Sequence, residues 1–174
     1  MRTILLLTIL IASGVIGTSL ETIAASAPTE VEQSRISDIA QDGLAEVNLG
    51  KLAETKGSTT RVKNFGKQMV ADHTLTNSKL KAAAEKSQLT LPTTVTDSQK
   101  ATYNELSKLS GIAFDRKYAA EMVEGHARAV DAIDEESRLG TGVLKQWAEK
   151  TIPVVKNHSA IAKQLDTDIE KSRE

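Results

Sequence analysis

The sequence predicts an all-α protein, a four-helix bundle with a long middle crossover that carries a short extra helix. Three observations predict it. Four long segments place apolar residues at helical spacing. Glycine-containing turns near residues 57 and 140 join these segments in pairs, and a much longer link, residues 88–111, separates the pairs. No alternating, strand-like pattern competes with this reading.

The first segment, residues 30–56, carries apolar or small residues at 36, 39, 40, 43, 47, 50 and 53, and Gly57-Ser58 supplies a helix stop and a new N-cap. Its one polar intruder is Glu46, flanked by Gly43 and Gly50. Two small residues beside a carboxylate would let a neighbouring helix or an ion come close, and Glu46 either faces inward there or lies at the stripe's edge and reaches solvent. The second helix is predicted over residues 59–87, with Val62, Phe65, Met69, His73, Thr76, Leu80 and Ala83 on one face. Leu91-Pro92 breaks the pattern, and Asp97 is the expected N-cap of a short helix over 98–109. A link of this length exceeds an ordinary turn between bundle helices and suits a connection between parallel or diagonal helices. The third long helix is predicted over residues 112–139, with Phe114 or Asp115, Tyr118, Met122, His126 and Ile133 facing inward. The fourth begins near Val143 and carries Leu144, Trp147, Val155, His158, Leu165 and Ile169 on its stripe. Pro153 falls inside it and is expected to kink or restart the helix, and the charged tail after Ile169 is expected to fray.

Residues 1–27 read as a signal peptide and residues 28–174 as the bundle domain. Arg2 precedes an apolar run over 4–16, and Ala25-Ser26-Ala27 offers the small residues at which a signal peptidase cleaves. The run is short for a membrane-spanning helix, so the mature chain is expected to be exported, to lie in the periplasm and to lack a transmembrane helix. With 22 basic and 23 acidic residues the chain has no basic excess to recruit nucleic acid. With no cysteine it forms neither disulfides nor thiolate metal sites.

The chemistry concentrates in a repeated pattern. Met69-Val70-Ala71-Asp72-His73 and Met122-Val123-Glu124-Gly125-His126 are two copies, and Val154-Val155-Lys156-Asn157-His158 is a looser third. These are all the histidines of the chain, each on the apolar face of a different helix. At about 1.5 Å per residue, Glu46 and His73 lie roughly 16 and 24 Å from the turn at 57, and His126 and His158 roughly 21 and 27 Å from the turn at 140. Each helix thus offers one group to the middle of the bundle. Neutral imidazole is a common metal ligand, so the candidate metal residues are Glu46, His73, His126 and His158, with Asp72 as a further ligand or an orienter. Three nitrogens and one oxygen suit one transition metal ion such as Zn, Cu, Fe or Ni. The competing reading is a buried His–Glu hydrogen-bond cluster that only fixes packing.

The runs Asp42-Gly43-Leu44-Ala45-Glu46-Val47, Phe114-Asp115-Arg116-Lys117-Tyr118 and the two Met-Val-x-x-His copies resemble the exported bacterial domain of unknown function 4142 family over residues 34–168. The resemblance implies a ferritin-like four-helix bundle and brings no agreed activity. Di-iron members of that superfamily use Glu-x-x-His, yet Val70, Val123 and Val155 stand three residues before the histidines here, so di-iron chemistry is not expected. No nucleophile elbow or phosphate loop is present, and no catalytic residue is assigned. The favoured function is a non-catalytic exported bundle that binds a metal for buffering or stress protection. The alternatives are a metal-free structural or envelope-interaction module with an unidentified protein or envelope partner, and, least favoured, a mononuclear metalloenzyme.

Overall fold

A computed structural model describes residues 28–171, so the signal-peptide reading of residues 1–27 and the last residues of the tail lie outside it. The described chain forms α1 (Glu30–Lys56), α2 (Thr60–Lys86), α3 (Asp97–Ser107), α4 (Gly111–Leu139) and α5 (Gly142–Lys171), with no strand among the described residues. The first three starts have a local cause, whereas Ser110 before α4 makes no side-chain cap. Thr29 and Thr59 accept hydrogen bonds from the backbone N–H groups of Glu32 and Val62, and Thr96 forms a reciprocal capping box with Gln99. Two expected caps therefore shift. Ser58 yields the α2 cap to Thr59 and instead donates from its backbone N–H and its hydroxyl to Asp115, at 2.8 and 2.6 Å. Asp97 yields the α3 cap to Thr96, because only Thr96 has Gln99 three residues ahead to complete the box. Helix α5 runs through Pro153 without restarting.

The long helices pack as a closed ring, α1 on α2, α2 on α5, α5 on α4 and α4 on α1, forming a helical bundle. Contacts between their ends fix the directions. Arg35 at the start of α1 pairs with Glu136 at the end of α4, and Arg61 at the start of α2 pairs with Asp168 near the end of α5. Neighbours in the ring are antiparallel, so α2 and α4 are parallel and diagonal. The link carrying α3 runs the length of the bundle between them, and α3 itself packs against α1 and α4. Gly50 and Gly66 let α1 and α2 cross closely. A Cβ on Gly66 would sit 2.7 Å from the Gly50 carbonyl oxygen, and one on Gly50 2.8 Å from that of Gly66. Gly50 thus admits helix α2, whereas Gly43 makes room for the Asn77 side chain.

The buried apolar side chains divide into two clusters. One, around Leu52, Phe65, Tyr118 and Leu165, fills the end with the α1–α2 turn. The other, around Ile36, Leu80, Ile133 and Trp147, fills the end with the α4–α5 turn. Between them lies a polar layer to which all four long helices contribute. On α1 the stripe passes through buried Glu46, not through half-buried Val47.

Candidate metal centre

The polar layer brings the three histidines together. His126 and His158 are fully buried and His73 is 7% exposed. Their ring centroids form a nearly equilateral triangle, with sides of 5.6 Å (His73–His126), 5.3 Å (His73–His158) and 5.4 Å (His126–His158). One ligand atom from each lies within 4.8 Å of the other two, an arrangement that could hold a metal ion. Tetrahedral nitrogen ligands at about 2.0–2.1 Å from an ion stand roughly 3.4 Å apart, so the rings would draw together by up to about 1.4 Å to close on one ion.

The hydrogen bonds around the triad decide which nitrogens face the centre. Nδ1 of His126 lies 2.9 Å from the Met122 carbonyl oxygen, one turn back on α4. A carbonyl only accepts, so Nδ1 carries the proton and the Nε2 lone pair is free. His158 shows the opposite tautomer. Its Nε2 lies 2.9 Å from Asp72 Oδ2 and donates to that carboxylate, which leaves the Nδ1 lone pair free. His126 Nε2, His158 Nδ1 and His73 Nε2 are all buried with no hydrogen-bond partner. Buried polar atoms are normally satisfied, so three unpartnered ring nitrogens in one layer mark it as a place where a metal ion or a water could be held. A histidine held by a carboxylate or a backbone carbonyl through one nitrogen while the other faces inward is the usual outer arrangement of a metal ligand.

Burial also fixes the protonation states. Desolvation, reinforced by His126 and His158, pushes His73 down to about 3. Desolvation and the His158 ring push His126 down to about 4, against the opposing pull of the Met122 carbonyl. His158 is lowered by burial, with Asp72 opposing. At neutral pH the rings are uncharged and able to coordinate.

The two acidic candidates sit differently. Asp72 is partly exposed and bonds to the outer nitrogen of His158, the place of an orienter. Glu46 is buried, and its Oε1 lies 3.8 Å from His126 Nδ1, the nitrogen already engaged by Met122. It is not in the set whose ligand atoms all lie within 4.8 Å of one another. Glu46 Oε2 has no hydrogen-bond partner, and desolvation, with Asp42 nearby, pushes its carboxyl up to about 8. Gly125 provides its berth, since a Cβ there would stand 3.0 Å from Glu46 Oε1. Beside Glu46 and His73 a cavity of about 30 Å³ lies among the four long helices, enough for a water molecule.

Sequence reasoning gave Tyr118 an inward position but no role, and assigned none to Glu136. Tyr118 is fully buried, its hydroxyl has no hydrogen-bond partner, and burial followed by the charge of Glu46 raises its pKa. Its signal was position, two turns before His126 on one stripe. Glu136 is buried against Arg35 at 2.7 Å, a pairing across the fold with no local sequence signal.

A family model, described as a domain of unknown function (DUF4142), matches residues 17–165. No curated protein and no solved structure matches the chain.

Proposed function

The chain belongs to the DUF4142 family, and we propose that it is an exported, ferritin-like four-helix bundle that holds one divalent transition metal ion on His73, His126 and His158. The ion is Zn, Cu, Fe or Ni by ligand type, and the role is metal buffering or stress protection. The observation that carries this reading is the meeting of three buried, unpartnered ring nitrogens from three helices. Three neutral imidazoles leave an ion's charge uncompensated, and the Asp72 carboxylate, bonded to the outer nitrogen of His158, would both orient that ring and supply one negative charge.

Holding is favoured over catalysis. Three protein ligands leave a coordination position open, but the cavity beside His73, of about 30 Å³, admits water and no organic substrate. Export to the periplasm rests on the N-terminal apolar run. Among the described residues no helix is long and apolar enough to cross a membrane. The alternative, a metal-free envelope module with a buried His–Glu hydrogen-bond cluster, is less well supported, because Glu46 and His126 stand 3.8 Å apart and the inward nitrogens are unbonded.

Elemental analysis of the protein purified without an affinity tag tests the proposal. The expected result is one equivalent of a transition metal, lost in a His73→Ala, His126→Ala double variant. A metal-free protein that takes up none of these ions when offered them would overturn it in favour of the envelope module.

A further inference from the structure

The triad is buried, so an ion needs a path to it, and two surface grooves lead toward the layer. One, of about 100 Å³, lies under α3 between α1 and α4 and presents the acids Asp42, Glu46 and Glu121, with Arg128 in its lining and Lys117 paired to Glu121. The other, of about 330 Å³, lies between α2 and α5 and presents Lys79, Lys86 and Lys150 against the single acid Asp72. A field of one sign at a mouth repels ions of that sign, so the lysine-lined groove disfavours cations and the acid-lined groove under α3 is the more favourable approach. Glu46 joins that groove to the interior. It lines the groove and also the small cavity that it shares with His73. Its Oε2 is buried without a partner, and Gly125 leaves its carboxyl free of a neighbouring side chain. The outer acids are held at the mouth, Asp42 by Gln99 of α3 at 2.7 Å and Glu121 by Lys117 at 2.9 Å.

We propose that the groove under α3 is the entry site for a divalent cation, with Asp42 and Glu121 as its outer contacts and Glu46 as the carrier that passes the ion inward to the histidines. This rests on the metal reading above and adds the route. Glu46 serves as a transient ligand during entry, and the three imidazoles determine where the ion comes to rest.

The test uses Co²⁺, whose visible absorption reports coordination. Metal-free full-length protein is mixed rapidly with Co²⁺ to follow loading, and equilibrium affinity is measured separately by chelator competition. Glu46→Gln keeps shape and removes a carboxyl that can give up its proton to a cation, and is expected to slow loading about ten-fold or more while changing affinity by less than about three-fold. The surface pair Asp42→Asn, Glu121→Gln is expected to slow loading in the same direction, and Lys79→Ser, Lys150→Ser to leave it unchanged. Wild-type loading in Glu46→Gln, or faster loading in the lysine variant, would overturn the route while leaving the triad intact. A loss of affinity in Glu46→Gln as large as its loss of rate would also overturn it, making Glu46 a permanent ligand. A wild-type chain that takes up no Co²⁺, or a His73→Ala, His126→Ala chain that takes it up normally, fails the metal reading itself and the route with it.

Discussion

Nδ1 of His126 is held by the Met122 carbonyl and Nε2 of His158 by Asp72, so in each ring one nitrogen is used by the protein and the other is left facing the centre. The two anchors differ in what they predict. A helix carbonyl one turn back is supplied by any sequence, whereas Asp72 is a single removable side chain. Asp72→Ala is expected to weaken metal affinity about 10–100-fold, the usual effect of losing an outer partner, with the fold retained. A chelator competition checks it, and unchanged affinity would show that His158 needs no orienting. Coordination also requires neutral imidazole, and with His73 and His126 lowered to about 3 and 4, bound metal is expected to stay through pH 6 and to leave only as pH falls through about 4. Ion lost already near the ordinary histidine value would show that the rings are not shielded from water. Asp72 and His73 are adjacent in sequence yet serve different imidazoles. The helical step of about 100° turns one side chain inward and the other toward α5, a division that follows from helix geometry.

At the scale of the element, the α1–α2 crossing and the α3 cap carry separate consequences. Gly50 and Gly66 bring two backbones together, and a methyl group on Gly66 meets a carbonyl oxygen, which no rotamer change can relieve. Gly66→Ala is expected to cost about 1–3 kcal/mol as α2 is pushed from α1. Because His73 stands two turns further along α2, the same change is expected to lower metal affinity. Denaturant unfolding and metal titration of one variant check both effects. Helix α3 depends on Thr96, whose hydroxyl and whose backbone N–H are both used in the capping box. Thr96→Ala is expected to cost about 1 kcal/mol locally and to speed amide exchange in α3 while α1, α2, α4 and α5 keep their protection. Uniformly faster exchange would show that α3 is integral to the bundle's stability and not an added cover.

For the whole molecule, a polar layer between two apolar clusters makes stability depend on pH and on metal. Between their folded and unfolded values the lowered histidines bind fewer protons folded than unfolded, so their contribution grows as pH rises and is complete above about 6.5. Glu46, raised to about 8, has the opposite sign. The folded chain keeps a proton there that the unfolded chain loses above about 4.5, so its contribution falls as pH rises between the two values. Three histidines outweigh one carboxyl below about 6.5, and only the carboxyl acts above it. The metal-free protein is expected to be most stable near pH 6.5, as judged by denaturant midpoints from pH 4 to 8. A rise continuing to pH 8 would show that Glu46 is ionised in the fold. Metal binding the folded state at a hundred times its dissociation constant adds about 2.7 kcal/mol, which for a chain of this size is a rise in Tm of about 5–10 °C. A Tm unchanged by metal in the wild type would contradict binding to the folded state.

Helical periodicity, the glycine-marked turns and the Pro92 break depend on near neighbours in the chain, which is why the number, order and approximate bounds of the helices were legible in the sequence. So were the inward faces of His73, His126 and His158, and even their common depth, because helix rise is constant. The family resemblance was likewise legible in short local runs, and the family match bears it out. What is decided between helices was not legible. Whether Glu46 lay on the buried stripe or at its edge depended on how α4 approaches α1, and Gly125, a residue of another helix, provides the space that holds it inside. The tautomers, the three unbonded nitrogens, and the placement of Asp72 behind His158 in place of a position in the ligand set all arise from distances across the bundle. Periodicity tells a side chain which way to face, but only the packed helices determine what it meets.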